Sequence, residues 1–147
     1  MLTDVEKLVL LRDTGLLKHI DSEELYQLLE IAHEVLVKDG EALFRQGERA
    51  DKIFAIAAGT ARLVAEPGAR VLGVFSRGRI LGEMAMFAGE EHAFSAMAVD
   101  GPVAALVFDE VELTQLLLGT PALAFFFLGE IARHNLELLR SMLGGRR

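Results

Sequence analysis

A short segment in the second half of the chain carries the residues best suited to bind an anion. Gly82, Glu83, Met84 and Ala85 follow one another directly. Because glycine has no side chain, the backbone there can approach a ligand closely, and successive backbone N–H groups can donate hydrogen bonds to a phosphate. The Glu83 carboxylate can accept a hydrogen bond from a sugar hydroxyl. The segment therefore predicts a site for a sugar phosphate, and the alternative is a turn followed by a capped helical turn at Met84 to Phe87.

A histidine follows ten positions after Gly82, in a loop that also carries Glu90 and Glu91. The ordinary pKa of histidine is about 6.5, so His92 is mostly neutral at pH 7 and is a weaker contact for an anion than a permanent cation. Three interpretations are open: a surface or loop histidine without a role, a pH-dependent contact to an anion, and a contact to a different ligand. The two glutamates add negative charge to the same loop.

The composition limits the class of protein. The 147 residues fit one domain with a single core. Without cysteine the chain has no disulfide, no thiolate metal ligand and no cysteine nucleophile, and a reducing cytoplasm is the expected location. Fifteen basic and 22 acidic residues give a net charge of −7, which disfavours direct binding of nucleic acid. Neither a signal peptide nor an apolar run of about 18 residues is present, so we expect no association with a membrane.

No group of residues has the arrangement of a catalytic centre. There is no serine with a suitable histidine and acid partner, no Walker loop and no pair of carboxylates with a defined role. His19, His33 and His134 fall on different predicted helices and lack the spacing of metal ligands. We therefore expect neither catalysis nor a metal site.

The hydrophobic periodicity divides the chain into helical ends and a β-rich middle. Residues 5–11 predict a short helix, and Asp21 begins a capping box before a helix with a buried stripe of Leu25, Leu28, Leu29 and Ala32. From about Val35 to Phe108 the pattern changes to short extended runs separated by glycine: residues 42–45, 53–57, 61–65, 71–75, 93–99 and 103–108. Strands this short and this regularly interrupted predict an antiparallel sandwich or barrel.

The last part of the chain returns to helical periodicity. Asp109 is placed to cap one helix, with Glu112 reaching back to it, and the final helix runs from Thr120 and Pro121 to Gly144 and Gly145. This final helix has two apolar lines. One contains Ala124, Phe127, Ile131, Leu138 and Met142, and the other contains Phe125, Leu128, Ala132, Leu136, Leu139 and Leu143.

The first apolar line can cover the β region of the same chain. The second has spacings close to a heptad seam. It either lies in a groove of its own chain or contacts a partner helix, most simply the same helix of a second copy. The second alternative predicts a homodimer.

Residues 35–56 read VLVKDGEALFRQGERADKIFAI and are followed by Gly59 and Arg62. In the order and spacing of its glycine, aspartate and aromatic positions, this stretch resembles the first half of cyclic nucleotide-binding domains of the bacterial catabolite-activator type. Gly78, the segment Gly82–Ala85 and the final helices resemble the second half. The resemblance extends from about residue 8 to residue 143. It implies a mainly β fold, an eight-stranded jelly-roll-like β-roll at residues 35–108, with an N-terminal helical segment at 1–34 and two C-terminal helices at 109–147.

The resemblance also implies roles in a phosphate-binding cassette. Gly82 and Glu83 begin the cassette, with the Glu83 carboxylate at the position that holds the ribose 2′-hydroxyl. Met84 and Ala85 stand where backbone N–H groups meet the cyclic phosphate, so cyclic AMP and cyclic GMP are the candidate ligands. In the family an arginine closes the cassette and pairs with the phosphate, and His92 stands at its position here.

The departures from the family pattern bear on affinity. A charge-assisted hydrogen bond is worth roughly 1.5–3 kcal/mol, or about 10- to 150-fold in affinity, and histidine lacks the planar fork of arginine. Ala93 keeps the small residue that follows the arginine. Phe94 stands where a further small residue is usual, and its ring either occupies the space of a ligand or points into the core, since neighbours on a strand face opposite sides.

Two functions of different classes follow. The first is a non-catalytic regulatory module that senses a small anionic ligand and signals through its C-terminal helix. The second is a ligand-free domain for dimerisation or protein docking. In the family such domains report to a DNA-binding helix-turn-helix, a kinase or a channel; here no basic recognition helix follows, so the effector is a separate protein or another part of a longer polypeptide. A haem-binding sensor, a third class, has no ligand pair in this sequence.

Overall fold

A computed structural model describes residues 2–15 and 22–144 of the chain. Within these residues, helices surround a β-rich middle. In chain order the elements are α1 (Asp4–Asp13), α2 (Ser22–Ile31), β1 (His33–Val37), β2 (Ala42–Phe44), β3 (Lys52–Ala65), β4 (Arg70–Phe75), β5 (Ile80–Leu81), α3 (Glu83–Ala88), β6 (Ser95–Asp109), α4 (Glu110–Gly119) and α5 (Pro121–Met142).

The strands form one antiparallel sheet in the order β1-β6-β3-β4, with β2 added to β6 and β5 added to β3. The resemblance implied eight strands, and the described residues form six, because β3 and β6 each join two of the predicted runs. In β3 the register against β6 shifts between Ile56 and Ala58 and again between Ala58 and Thr60. The chain therefore bends there without leaving the sheet, and the mainly β roll with flanking helices is confirmed.

Gly59 permits this bend. Its φ is +92°, a left-handed conformation, and a Cβ atom on it would lie 2.3 Å from the carbonyl oxygen of Pro102. Only glycine combines that backbone angle with so close an approach of a neighbouring strand.

Two helices precede the sheet. The predicted helix at residues 5–11 is α1, and its N-terminus has a capping box: Glu6 N–H donates to Thr3 Oγ1 at 3.1 Å and Thr3 N–H donates to Glu6 Oε1 at 2.9 Å. The predicted capping box at Asp21 lies outside the described residues. In α2, Leu28 is fully buried, as the stripe requires.

Apolar side chains form two clusters. One joins the helices to one face of the sheet and includes Leu10, Leu28, Phe108, Leu113 and Phe127. The other lies inside the roll and includes Phe44, Phe54, Leu63, Val107 and, from α5, Leu138. Successive side chains of β6, Val107 and Phe108, belong to different clusters, as expected where neighbours on a strand face opposite sides. Among the described helices none combines the length and the apolar character needed to cross a membrane.

We predict that Gly59→Ala lowers the free energy of unfolding by about 2–5 kcal/mol. Alanine in the left-handed conformation costs about 1–2 kcal/mol, and its Cβ atom would displace the neighbouring backbone of β6 at Pro102, which costs about 1–3 kcal/mol more. Gly68→Ala is the matched control, because Gly68 has a φ of +88° and no atom within 4 Å of the added Cβ. Chemical denaturation of both variants measures the difference. Equal losses would show that the close approach at Pro102 carries no energetic weight.

Candidate functional site

The cassette, residues 82–94, begins where β5 ends and continues through α3 to the start of β6. Gly82 joins β5 to α3 with a φ of +90°, and a Cβ atom there would lie 2.9 Å from the carbonyl oxygen of Lys52. Glycine is therefore required by the fold itself at this position, independently of any ligand. Gly89, with a φ of +71°, ends α3.

Glu83 is the first residue of α3 and is buried, with 5% of its surface exposed. Burial raises the pKa of its carboxyl to about 7, against the opposing effects of a hydrogen bond from its own backbone N–H and the positive charge of Arg79. The carboxyl of Glu83 therefore changes its charge close to neutral pH.

All six residues predicted as ligand contacts line one cavity of about 210 Å³. They are Gly82, Glu83, Met84, Ala85, His92 and Ala93, and the remaining lining residues are Glu90, Glu91 and Phe94. Among these lining residues there are three carboxyl groups and neither a lysine nor an arginine. We call this space the cassette cavity.

His92 lies in the loop before β6 and is buried, so it is not a surface histidine, and the alternative of a loop histidine without a role stays open. Its ring is stacked on Phe44, with 3.9 Å between ring centroids and 16° between planes. The backbone holds it in place, since His92 N–H donates to Glu48 O and Gly47 N–H donates to His92 O, both at 2.9 Å. Burial lowers the pKa of His92, although the charges of Glu48 and Asp51 act in the opposite direction.

Phe94 packs against the core cluster inside the roll, and its ring centroid lies 6.0 Å from that of Phe44. It also lines the cassette cavity. Phe94 therefore belongs to the aromatic wall between the cassette and the interior of the roll, together with Phe44 and His92.

Two side-chain contacts join the segment that enters the cassette, residues 79 and 80, to α5. His134 of α5 is buried; its Nδ1 accepts a hydrogen bond from Ile80 N–H at 3.4 Å and its Nε2 donates to Thr14 O at 3.2 Å. This pattern needs the neutral ring, and burial lowers the pKa of His134 accordingly. Arg79 Nη2 lies 3.8 Å from Glu137 Oε1 of α5. The strand that enters the cassette is therefore fixed to the last helix.

The second apolar line of α5 faces away from the domain. Phe125 is 74% exposed, Leu136 45% and Leu143 76%, and Leu128, Ala132 and Leu139 are exposed as well. In the first line Phe127, Ile131 and Leu138 are buried as predicted, whereas Met142 is exposed. No groove among the described residues covers the second line.

One cluster was missed in the sequence. His33 begins a strand, not a helix as predicted, and the β1–β6 pairing brings it to Asp109 and Glu112. His33 Nε2 lies 2.8 Å from Glu112 Oε1 and 3.8 Å from Asp109 Oδ2. Asp109 is the N-cap of α4, but its side chain makes no capping hydrogen bond, so the predicted capping box is wrong. The His33 ring is therefore hydrogen-bonded to Glu112 and lies close to Asp109, so the expectation that His33 lacks neighbours of the metal-ligand type is wrong.

Comparison with known proteins agrees with the fold. The family model described as "Cyclic nucleotide-binding domain" matches residues 34–119. A cyclic nucleotide-binding domain from Methylobacillus flagellatus is similar at 21% identity and a TM-score of 0.81, over 95% of this chain and 79% of that one. The catabolite activator protein of Thermus thermophilus is similar at 26% identity and a TM-score of 0.72, over 83% of this chain and 58% of that one.

A third similar structure comes from Trypanosoma brucei. It is the regulatory subunit of a kinase described as a cAMP-independent protein kinase A, in a variant with three substitutions, one of them threonine to arginine, bound to cAMP in the A site. The identity is 21% and the TM-score 0.71, over 80% of this chain and 43% of that one. Since the family model covers more than half of the chain and the roll and its cassette are both present, the protein belongs to the cyclic nucleotide-binding domain family.

Proposed function

We propose that this domain is a regulatory module whose cassette does not hold a cyclic nucleotide at neutral pH, and which acts by pairing with a second copy through α5. The charge of the cassette cavity carries the proposal. Glu83, Glu90 and Glu91 line it, and no lysine or arginine does. A cyclic phosphate bears a full negative charge, so it would be brought into a cavity of the same sign.

The state of His92 strengthens this argument. A neutral ring offers no counter-charge, and stacking on Phe44 orients it along the aromatic wall. The loss of one charge-assisted hydrogen bond lowers the affinity for a phosphate by about 10- to 150-fold. The Trypanosoma brucei structure is consistent with this reasoning, because cAMP is bound there in a variant that gained an arginine.

The output surface is the exposed line of α5. Its spacings of three and four residues match a helix seam, and a second copy offers an identical seam. His134 and Arg79 connect α5 to the segment that leads into the cassette. A change in the pairing of α5 would therefore alter the position of the cassette, and a change in the cassette would alter the pairing of α5. A separate effector protein would then recognise the paired form. The expected setting is the cytoplasm, which the lack of cysteine supports.

A second candidate function is an acid-dependent sensor of an anion. The observation that favours it is the raised pKa of Glu83, about 7, beside a histidine whose pKa is lowered. As the pH falls, Glu83 loses its charge first, and His92 gains a charge only below its ordinary pKa. Both changes make the cassette cavity more favourable to a phosphate. Calorimetry with cyclic AMP and cyclic GMP, at about pH 5 and about pH 7.5, distinguishes the two functions, since only the sensor binds at the lower pH.

We predict that His92→Arg raises the affinity for cyclic AMP by about 10- to 150-fold at neutral pH, because it restores a permanent, bidentate partner for the phosphate. Isothermal calorimetry measures it, with the thermal unfolding curve as a check on folding. His92→Gln is the matched control and should gain nothing. Tight binding of cyclic AMP by the wild-type protein at neutral pH would overturn the proposal.

Introducing negative charges into the exposed line of α5 tests the pairing. We predict that Leu136→Glu together with Leu139→Glu converts a dimer to a monomer in light scattering, because each copy would place carboxylates in an apolar seam. Leu36→Glu is the control, since Leu36 is 68% exposed on β1, away from α5. A wild-type monomer, or a control that dissociates equally, would contradict the pairing.

We predict that the protein loses stability relative to Glu83→Gln as the pH rises from about 5 to about 8. Glu83 keeps its proton in the folded state up to a pKa of about 7, whereas an unfolded glutamate releases it near 4.5. The folded state therefore binds more protons in this window, and stability falls by at most about 3 kcal/mol as pH increases. The lowered pKa values of His92 and His134 act in the opposite direction but are common to both proteins. Urea unfolding across the pH range measures the difference, and Glu90→Gln, at an exposed position, should show none.

A further inference from the structure

A second and larger hollow opens at one end of the roll. It has a volume of about 490 Å³, more than twice that of the cassette cavity, and within the usual range of small-molecule sites. It lies where β1 begins at His33, β3 begins at Lys52 and β6 ends at Asp109. These three ends meet because the strands are antiparallel neighbours, with Lys52 opposite Asp109 and His33 opposite Val107. We call this space the end hollow.

The floor of the end hollow is apolar. Alternate residues of a strand face the same side. The side chains two residues away from the polar strand ends therefore also face the hollow, and they are Val35 on β1, Phe54 on β3 and Val107 on β6. Phe44 of β2 completes the floor, with its ring centroid 6.0 Å from that of Phe54. A ligand seated there would bury an aliphatic or aromatic body against aliphatic and aromatic side chains.

The rim of the end hollow carries an excess of negative charge. Its carboxylates are Glu34, Glu48, Asp51 and Asp109, and its permanent cations are Arg49 and Lys52. Arg49 Nη2 is paired with Glu110 Oε1 at 2.8 Å, so part of its charge is already neutralised by a residue that does not line the hollow. Lys52 Nζ lies 3.4 Å from Asp51 Oδ1 and 3.9 Å from Asp109 Oδ1, which leaves Glu34 and Glu48 without a permanent cation among the rim residues.

His92 gives an independent indication of a ligand. It lines both the end hollow and the cassette cavity, only 6% of its surface is exposed, and neither ring nitrogen has a hydrogen-bond partner among residues 2–15 and 22–144. The ring nitrogens are not among the fully inaccessible unpartnered side-chain atoms of the described residues, so they keep some accessible surface. A molecule in the hollow can therefore reach them and supply the hydrogen bond that the described residues do not.

We propose that the end hollow binds a small organic cation, an amine with an apolar body, whose nitrogen is held by the rim carboxylates and whose body lies on the floor between Val35, Phe54 and Val107. Hydrogen bonds between an ammonium group and carboxylates are among the stronger ones in proteins. The aromatic rings of Phe44 and Phe54 on the floor contact the apolar body of the ligand. The same rim repels a carboxylate or a phosphate, so this site differs in ligand class from the cassette.

Three molecules with the same phenyl-ethyl body and different head groups test the proposal: 2-phenylethylamine, 3-phenylpropionate and 2-phenylethanol. We expect the amine to bind at neutral pH with a dissociation constant of about 1 mM and the carboxylate at least about tenfold more weakly. Nuclear magnetic resonance titration of the labelled protein locates the site, because the amides of Val35 and Val107 should shift and those of Met84 and Ala85 should not. Absence of amine binding at about 10 mM, or shifts confined to the cassette, would overturn the proposal.

Two variants with equal loss of charge separate a specific site from general attraction. Glu48→Gln with Asp51→Asn removes two rim carboxylates, and we expect it to weaken amine binding by about fivefold or more. Glu90→Gln with Glu91→Gln removes the same charge on the cassette side of His92 and should leave the affinity unchanged. If both variants weaken binding equally, or if the alcohol binds as tightly as the amine, the rim does not recognise a cation. All four substituted residues are exposed, so both variants should fold, and their unfolding curves verify it.

Discussion

The stacking of His92 on Phe44 is the contact on which the rest of the site depends. It joins the loop after α3 to the end of β2, two parts of the chain 48 positions apart. Two backbone hydrogen bonds hold His92 in place, one from its N–H to Glu48 O and one from Gly47 N–H to its carbonyl oxygen. Once the ring lies flat on Phe44, it forms a wall with the cassette cavity on one side and the end hollow on the other. Position 92, where the resemblance to the family implies a phosphate-binding arginine, therefore contributes an aromatic surface here.

Burial of ionisable groups beside this wall determines their charge. Glu83 and His92 are both nearly inaccessible, and desolvation pushes each toward its neutral form, which raises one pKa and lowers the other. Arg79 lies close enough to act on Glu83, yet its guanidinium is placed 4.0 Å from the ring centroid of Phe75 and near Glu137, so it serves the contact with α5 and does not line the cassette cavity. Arg79 is thus engaged in the contact with the last helix.

Much of this arrangement was accessible from the sequence, because it depends on local patterns. Glycine-punctuated strands predicted an antiparallel sandwich or barrel, the resemblance to the family implied the roll and the cassette, and the spacing of apolar residues on the final helix predicted two apolar lines. What could not be predicted depends on strand ends that meet across the fold. The side-chain direction of His92, its contact with Phe44 and the cluster of His33 with Glu112 follow from pairings between β1, β2 and β6, and no short-range pattern reports a register between strands 50 or more residues apart. The capping box predicted at Asp109 failed for the same reason, since the distant His33 engages Glu112 in its place.

The ring of His92 has carboxylates on both sides of the wall, because it lines both the cassette cavity and the end hollow. An arginine there would face Glu83, Glu90 and Glu91 in one cavity and Glu48 and Asp51 at the rim of the other, and its charge would partly neutralise both groups. A neutral histidine offers no positive charge to either group of carboxylates. Under the two proposals made above, a low affinity for an anion in the cassette and a preference for a cation in the end hollow would both result from the neutral ring of His92. Burial of Glu83, which raises the pKa of its carboxyl to about 7, makes the charge of the cassette cavity respond to pH near neutrality.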